Sequence, residues 1–392
     1  MSDPFPGPLS PEVRENPYPC YRWLLAERPV YHDPQEDYWA ISRYADVVAA
    51  SRNYVVFSSG QGIGEVRDRR PTVVSTDPPE HTRLRRLVNQ AFSPSVIEAM
   101  RPRVEQLCHQ LIDTAIVAGS FDLVKDLAVP LPVIVIADML GFEPKRYRDA
   151  LRWSDGLVAV FSNPDTGKAL DLYSRTSPQF FFYIGDLINR RRHDPGDDLI
   201  SLMLDEDENG DRLTAKEIAY SCELFLAAGN ETTAGLIGNA ALALAGHPDQ
   251  AREVRDTPSL IPRLVEEAIR YDGPTQALFR TTTTAVSLHG VEIPAGAKIA
   301  LMWGAANRDP EVFPEPDSFI AARDPNPHLG FGHGVHHCIG APLARLESSV
   351  VAKVLIERFS RLSPDPRRPP IRRLSSSIFR KLESFPMSYE LR

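Results

Sequence analysis

The sequence is poor in cysteine and has no long apolar run, and both shortages narrow what the chain can be. Cys20, Cys108, Cys222 and Cys338 are scattered over 392 residues, with no Cys-x-x-Cys pair. That spacing offers neither a disulfide framework nor an iron–sulfur cluster run. No stretch reaches the roughly 18 apolar residues a spanning helix needs. The longest candidate, residues 123–140, is broken by charge and by two prolines. The start, Met-Ser-Asp-Pro-Phe-Pro-Gly-Pro, has no basic segment followed by an apolar core, so a secretory signal is not expected and the cytoplasm is. A clustered basic excess is missing too. The net charge is −8, which argues against nucleic acid as a partner. Length alone, at roughly 150 residues per domain, suggests two or three domains, but no Gly/Ser-rich linker or internal repeat divides the chain, so one large domain stays open.

What is present is mostly helical patterning, with a small β portion. Residues 29–32 and 37–42 read as short strands, and 53–76 as a polar loop. Asp77-Pro-Pro-Glu80 offers a cap for a helix bearing Leu84, Leu87, Val88 and Ala91 at helical spacing. A further helix starts at Ser93-Pro94 and stops at Gly119. Others run over 146–161 and from 167 to about 192, with Phe180-Phe-Phe182 read as core. Thr214-Ala-Lys-Glu217 is a capping box. The helix it opens meets no breaker before Gly246-His-Pro248, and at about 30 residues, roughly 45 Å, it would cross the molecule. Strands follow at 286–289, 291–293 and 298–302. A helix runs from Ala341 to about Phe359, and 378–389 reads as a hairpin.

The chemistry concentrates in Phe331-Gly-His-Gly-Val-His-His-Cys-Ile-Gly340. Cys20, Cys108 and Cys222 sit in apolar or helical contexts and read as buried structural thiols. Cys338 stands among glycines and histidines just before a helix. A thiol of pKa roughly 8.5 becomes a metal-binding thiolate when amide N–H groups, cations or a metal lower that value. Gly332, Gly334 and Gly340 lack a Cβ, so the backbone can lie against a flat group and bend tightly. A zinc site from His333, His336, His337 and Cys338 is the rival. It is the poorer one, because structural zinc draws ligand pairs from two separated segments and no second pair exists.

The pattern Phe331-x-x-Gly334-x-His336-x-Cys338-x-Gly340 resembles the haem-binding signature of the cytochromes P-450. Four further segments match that family in order, so the resemblance spans essentially the whole chain. It implies one domain over residues 1–392 with the mainly α cytochrome P-450 fold, the long helix crossing over a haem b whose axial ligand is Cys338. Phe331, Gly332, Gly340, Ala228 and Gly229 would border that haem. In Ala228-Gly-Asn-Glu-Thr232, the Thr232 hydroxyl can bond the carbonyl four residues back. By resemblance, Glu231 and Thr232 are the acid–alcohol pair that supplies protons to dioxygen. Glu267-Ala-Ile-Arg270 resembles the family's buried pair, joined by Arg323, which supports folding and haem retention. His81, Arg85, Arg280 and His336 would hold the haem propionates. A surface salt-bridge helix is the plainer reading of His81 and Arg85.

Gly273 to Arg280 runs toward the haem in relatives. Gln276, Leu278 and Phe279 would therefore line a substrate cavity with Leu224, Ala227, Ile378, Phe379, Leu157 and Phe161. Each could equally be plain core. The resemblance implies a monooxygenase that inserts one oxygen atom of O2 into a hydrophobic small molecule. Its electrons would come ultimately from NAD(P)H through a ferredoxin-type donor and reductase, because the chain carries no flavin or iron–sulfur motif. That donor would dock near Cys338, with Arg101, Arg103 and Arg345 as candidates. A monomer without membrane attachment is expected. Family members that use peroxide, or that isomerise or dehydrate, often depart from the acid–alcohol pair, which this chain keeps. A non-catalytic haem sensor would need an output domain for which no residues remain.

Overall fold

Thr214 opens the longest helix among the described residues, as its spacing predicts: its hydroxyl accepts the Glu217 N–H while the Glu217 carboxylate accepts the Thr214 N–H. In the computed structural model this helix is Ala215–Gly246, 32 residues long and buried over most of its length. The structure describes residues 4–64, 70–162, 166–207 and 209–392, with 160–162 and 166 described by backbone alone. The helices that position the site are α1 (Glu80–Asn89), α2 (Arg101–Val117), α3 (Pro130–Met139), α4 (Tyr147–Ser162), α5 (Thr166–His193), α6 (Ala215–Gly246), α7 (Ile261–Asp272) and α8 (Ala341–Arg358). Helix α6 packs against α3, α4, α7 and α8, so its apolar residues have neighbours all round. The largest apolar cluster gathers side chains from α2 to α6 and from α8.

Strands β1 (Val30–Asp33), β2 (Tyr38–Ile41), β3 (Phe57–Ser58), β4 (Leu278–Thr282) and β5 (Lys298–Leu301) form one sheet in the order β1-β2-β5-β4-β3. Strand β2 pairs with β5 in parallel, although they come from opposite ends of the sequence. A hairpin of Val286–Leu288 with Val291–Ile293 stands beside it. Strands β6 (Ile371–Arg373) and β7 (Lys381–Ser384) form a separate antiparallel pair against α6.

Several expectations are corrected. Helices Tyr18–Glu27 and Tyr44–Arg52 precede the polar loop, which itself contains β3. The helix expected from Ser93 to Gly119 is two, Pro94–Ala99 and Arg101–Val117, because Pro102 has no N–H to continue the first ladder. Asp77 does not cap α1. Its carboxylate accepts instead from the Ser58 hydroxyl and the Ser59 N–H. The expected 378–389 hairpin does not form, since Lys381–Ser384 pairs with β6 while Pro386–Leu391 pairs with Phe359–Pro364 and Phe121–Asp122. Of the three consecutive phenylalanines only Phe180 is fully buried; helical rotation leaves Phe182 82% exposed. Among the described residues, no helix is long and apolar enough to cross a membrane.

Candidate active site

The Cys338 loop is held from both sides. Gly334 has φ +73°, and a Cβ there would stand 2.6 Å from the Ser51 carbonyl oxygen. Gly332, at φ +71°, packs against Trp303. These two glycines therefore allow the tight bend expected of them and make room for protein neighbours. Gly340 has an ordinary φ of −81° and serves differently. Its N–H and that of Ala341, at the start of α8, point at the Cys338 sulfur. The Cys338 N–H donates to the Phe331 carbonyl at 2.8 Å and closes the turn. Cys338 is exposed, unlike the three buried cysteines. Even so, crowding by protein pushes its thiol up, against the Gly340 and Ala341 N–H groups and the Arg85 and Arg345 guanidiniums. A stable thiolate there needs a cation at the sulfur.

The zinc reading fails on the direction of the histidines. His333 Nε2 accepts from Arg52 at 2.8 Å, while His336 pairs with the Ser59 hydroxyl and the Val73 carbonyl, both at 3.2 Å. Among the described residues, no three His, Cys, Asp or Glu side chains converge on a metal position.

Cations gather beside the loop. His81, on the buried face of α1, stands 4.4 Å from the His336 ring, and its Nε2 is buried without a partner. Burial, then the charges of His336 and Arg85, holds His81 down at about 4. Arg85, one turn on, donates to Asn89 at 3.1 Å. Arg280 on β4 is 4% exposed, and burial draws it down to about 10, with Asp77 opposing. Among the described residues it donates only to the Phe279 carbonyl, at 2.7 Å. A buried guanidinium without a carboxylate and an orphaned imidazole nitrogen are costly unless an anion completes them. The donor set suits a group with one metal for Cys338 and two carboxylates for these cations, and haem is such a group.

On α6 the Thr232 hydroxyl donates to the Ala228 carbonyl at 2.8 Å. Ala228 is exposed and Gly229 and Thr232 are half-buried, in the middle of a helix that is otherwise buried. Glu231 points away from them, 3% exposed, accepting from Lys381 Nζ at 2.5 Å and lying 3.5 Å from Arg373 Nη1. Neither cation carried a signal in the sequence, since Lys381 lies 150 residues from its partner.

Glu267, Arg270 and Arg323 meet in a closed network. Glu267 receives both Arg270 donors at 2.8 Å and the Arg323 Nε at 3.1 and 3.2 Å. It also accepts from the Ile320 N–H and the Asn326 amide.

The expected cavity residues divide. Leu278 and Arg280 share one face of β4, and alternation puts Phe279 on the other, edge-on to Tyr38 at 5.9 Å. Gln276 accepts from the Tyr21 hydroxyl at 2.7 Å and donates to the Gly273 carbonyl at 2.6 Å, so its amide is satisfied within the protein. Ile378 packs with Tyr21, Ala277 and Phe279, and Leu157 and Ala227 pack in the main core, each 3% exposed or less. These five are core or structural residues. Leu224 and Leu278 are half-buried, and so is Phe379. The side chain of Phe161 lies outside the described residues. The proposed docking arginines are already engaged: Arg101 with Glu98, Arg103 with Asp138, Arg345 with Glu266.

With this geometry in place, comparison with known proteins defines the class. The cytochrome P450 family model matches residues 19–257 and 259–384, and the chain belongs to that family. It is 39% identical over 367 residues to cytochrome P450 107B1 of Saccharopolyspora erythraea, covering 90% of this chain and 89% of that protein. It is 38% identical over 372 residues to the monooxygenase PikC of Streptomyces venezuelae, covering 92% and 88%. The solved structure of CYP109Q5 from Chondromyces apiculatus superposes with a TM-score of 0.89 at 35% identity, over 98% of each chain. The protein is a haem-thiolate monooxygenase with the mainly α P450 fold.

Proposed function

We propose that this enzyme, a single domain over residues 1–392, hydroxylates a hydrophobic small molecule with O2, using Cys338 as the haem ligand. The observation that carries the ligand assignment is the pair of N–H groups, from Gly340 and Ala341, aimed at the one exposed cysteine. Arg280, Arg85 and His81 would hold the propionates, with His336 packed behind His81. Haem supplies the site where dioxygen is reduced by two electrons and oxygen is transferred. The chain's own contributions are the sulfur ligand, the anion partners, a wall that excludes water, and Glu231 and Thr232 as donors of protons. Leu224, Leu278 and Phe379 are the half-buried apolar groups that would face a substrate. The electrons would pass from NAD(P)H through a ferredoxin-type protein that docks near Cys338, with the enzyme acting as a cytoplasmic monomer.

Replacing Cys338 by Ala tests the reading. The reduced carbon-monoxide adduct of the parent should absorb as a thiolate complex, and the variant should lose that band while retaining its far-ultraviolet helix signal. An unchanged band would remove Cys338 from the iron.

A further inference from the structure

The turn that joins β6 to β7 carries Ser375-Ser-Ser-Ile-Phe379, and a crevice of about 320 Å³ opens beside it. Arg14, Arg373, Ser376, Ser377, Phe379 and Arg380 stand in its walls, and among the described residues no Asp or Glu does. Donors collect here without acceptors. Arg373 gives its Nε–H to the Ser375 hydroxyl at 2.8 Å, and its Nη1 lies 3.5 Å from Glu231, at the outer limit of a hydrogen bond. Lys381 donates to the same carboxylate at 2.5 Å and takes most of its charge. Among the described residues the Arg373 Nη2 donates to nothing, and the side chain is 30% exposed. The Ser376 hydroxyl accepts the Ile378 and Phe379 N–H groups at 3.3 and 2.9 Å, which leaves its own O–H to give. Ser377, 9% exposed, makes no side-chain hydrogen bond among the described residues. Arg380 adds charge but no donor, because Asp272 and the Arg14 and Glu15 carbonyls take its guanidinium. Asp155, exposed on α4, acts on Arg373 and Lys381 through space, without a hydrogen bond to either.

We propose that this crevice binds the anionic end of the substrate, a carboxylate or a phosphate, with Arg373 as its fork and Ser376 and Ser377 as flanking donors. The proposal rests on the reading that the enzyme oxidises a hydrophobic molecule, and it narrows that molecule to an amphipathic acid. A set of donors with positive charge and no acceptor is completed by an acceptor with negative charge, and a guanidinium meets a carboxylate or phosphate with two parallel hydrogen bonds. A purely structural arginine is closed as Arg270 is, where Glu267 and the carbonyls of Asn307, Pro316 and Ser318 take every donor. The fork of Arg373 is left open instead. The apolar part of the substrate follows Phe379, which walls the crevice and is one of the three half-buried groups assigned to the substrate. Phe379 bridges Thr275, three residues before Leu278, so two of those three groups stand on neighbouring segments. Arg373 meets α6 at Glu231, while Thr232 faces another side of that helix. Oxidation is therefore expected at the end of the molecule remote from the acid.

The experiment uses haem-loaded full-length enzyme at neutral pH and low salt. Binding of decanoic acid, decyl phosphate, decanol and inorganic phosphate is measured by calorimetry, and the haem absorption band is followed in the same titrations. The parent should bind decanoate or decyl phosphate about 10- to 100-fold more tightly than decanol, the worth of charge-assisted hydrogen bonds, and the band should shift. The tighter of the two acids identifies the group. Arg373→Gln should bring that acid to within about threefold of decanol, while decanol binds as it does to the parent. Arg373→Lys, which keeps the charge but not the fork, should fall between. Ser377→Ala should weaken the acid by about threefold. If acid and alcohol bind equally, or if Arg373→Gln keeps the preference, the crevice is not the acid site, and the hydrophobic-substrate reading stands because decanol still moves the band. If neither acid nor alcohol moves the band, that reading falls and the proposal with it. Binding of inorganic phosphate or of the acid that depends on Arg373 but leaves the band unmoved would overturn the assignment to substrate. Should Arg373→Gln fail to fold by its far-ultraviolet signal, Ser377→Ala decides: an unchanged preference for the acid overturns the proposal.

Discussion

Two of the groups of buried charge in this molecule are finished in opposite ways. Around Glu267, each charge is answered inside the chain. The carboxylate takes both arginines, and the remaining guanidinium donors go to the carbonyls of Asn307, Pro316, Ser318, Pro314 and Glu315. Around His81, Arg85 and Arg280, donors outnumber acceptors: one ring nitrogen has no partner, and one guanidinium has only a neighbouring carbonyl. Burying charge is expensive in both places. The first offsets the cost with its own residues and so belongs to the architecture. The second is completed by an anion from outside the chain and so belongs to the site.

The sharpest way to break this comparison is Glu267→Ala. It strands two buried guanidiniums, which costs about 3–5 kcal/mol. The expected outcome is loss of soluble folded protein, read by yield and by the far-ultraviolet signal. Arg280→Leu should behave differently. Its polypeptide should stay folded by the same signal, while the ratio of haem to protein absorbance falls. Normal haem content would take Arg280 out of the anion set, and an unfolded product would erase the distinction between the two groups.

A smaller and pH-dependent effect comes from a buried carboxyl outside both groups. Glu347 on α8 is 1% exposed, its Oε2 has no partner, and burial pushes its carboxyl up to about 8. Its folded value is raised, so the unfolded chain loses this proton first as pH rises. Stability is fully present below about 4.5 and drains away up to about pH 8. Glu347→Gln should therefore leave the melting temperature unchanged near pH 4.5 and raise it most above pH 8. A shift of equal size at every pH would show that the substitution acts through packing instead.

The legible parts were those whose signals are local or whose residue types are constrained. The capping box, the unbroken stretch of α6, the Cys338 turn and the meeting of Glu267 with Arg270 three residues on all follow from short spacings. What stayed hidden depended on partners far along the chain. Phe279 looks like its neighbours until β4 is known to pair with β5, and only then does alternation turn it away from Leu278 and Arg280. Asp77 reads as a cap because the competing Ser58 and Ser59 donors come from a different segment. The C-terminal strands join two sheets because Phe121 and Phe359 claim one of them. Lys381 was invisible for the same reason.

The parallel pairing of β2 with β5 also sets an order of events while the chain is being made. About 260 residues lie between Ile41 and Lys298. At synthesis rates of ~5–20 residues per second, the hairpin of β1 and β2 leaves the ribosome roughly 15–50 s before its neighbour exists. Through that interval Trp39, Ala40 and Ile41 present an unpaired edge, the kind of edge that recruits wrong strands. The helices from α1 to α6 can pack on one another meanwhile, because their contacts are nearer in sequence. The edge of the first hairpin therefore stays open until β5 has been made, long after the strand that borders it.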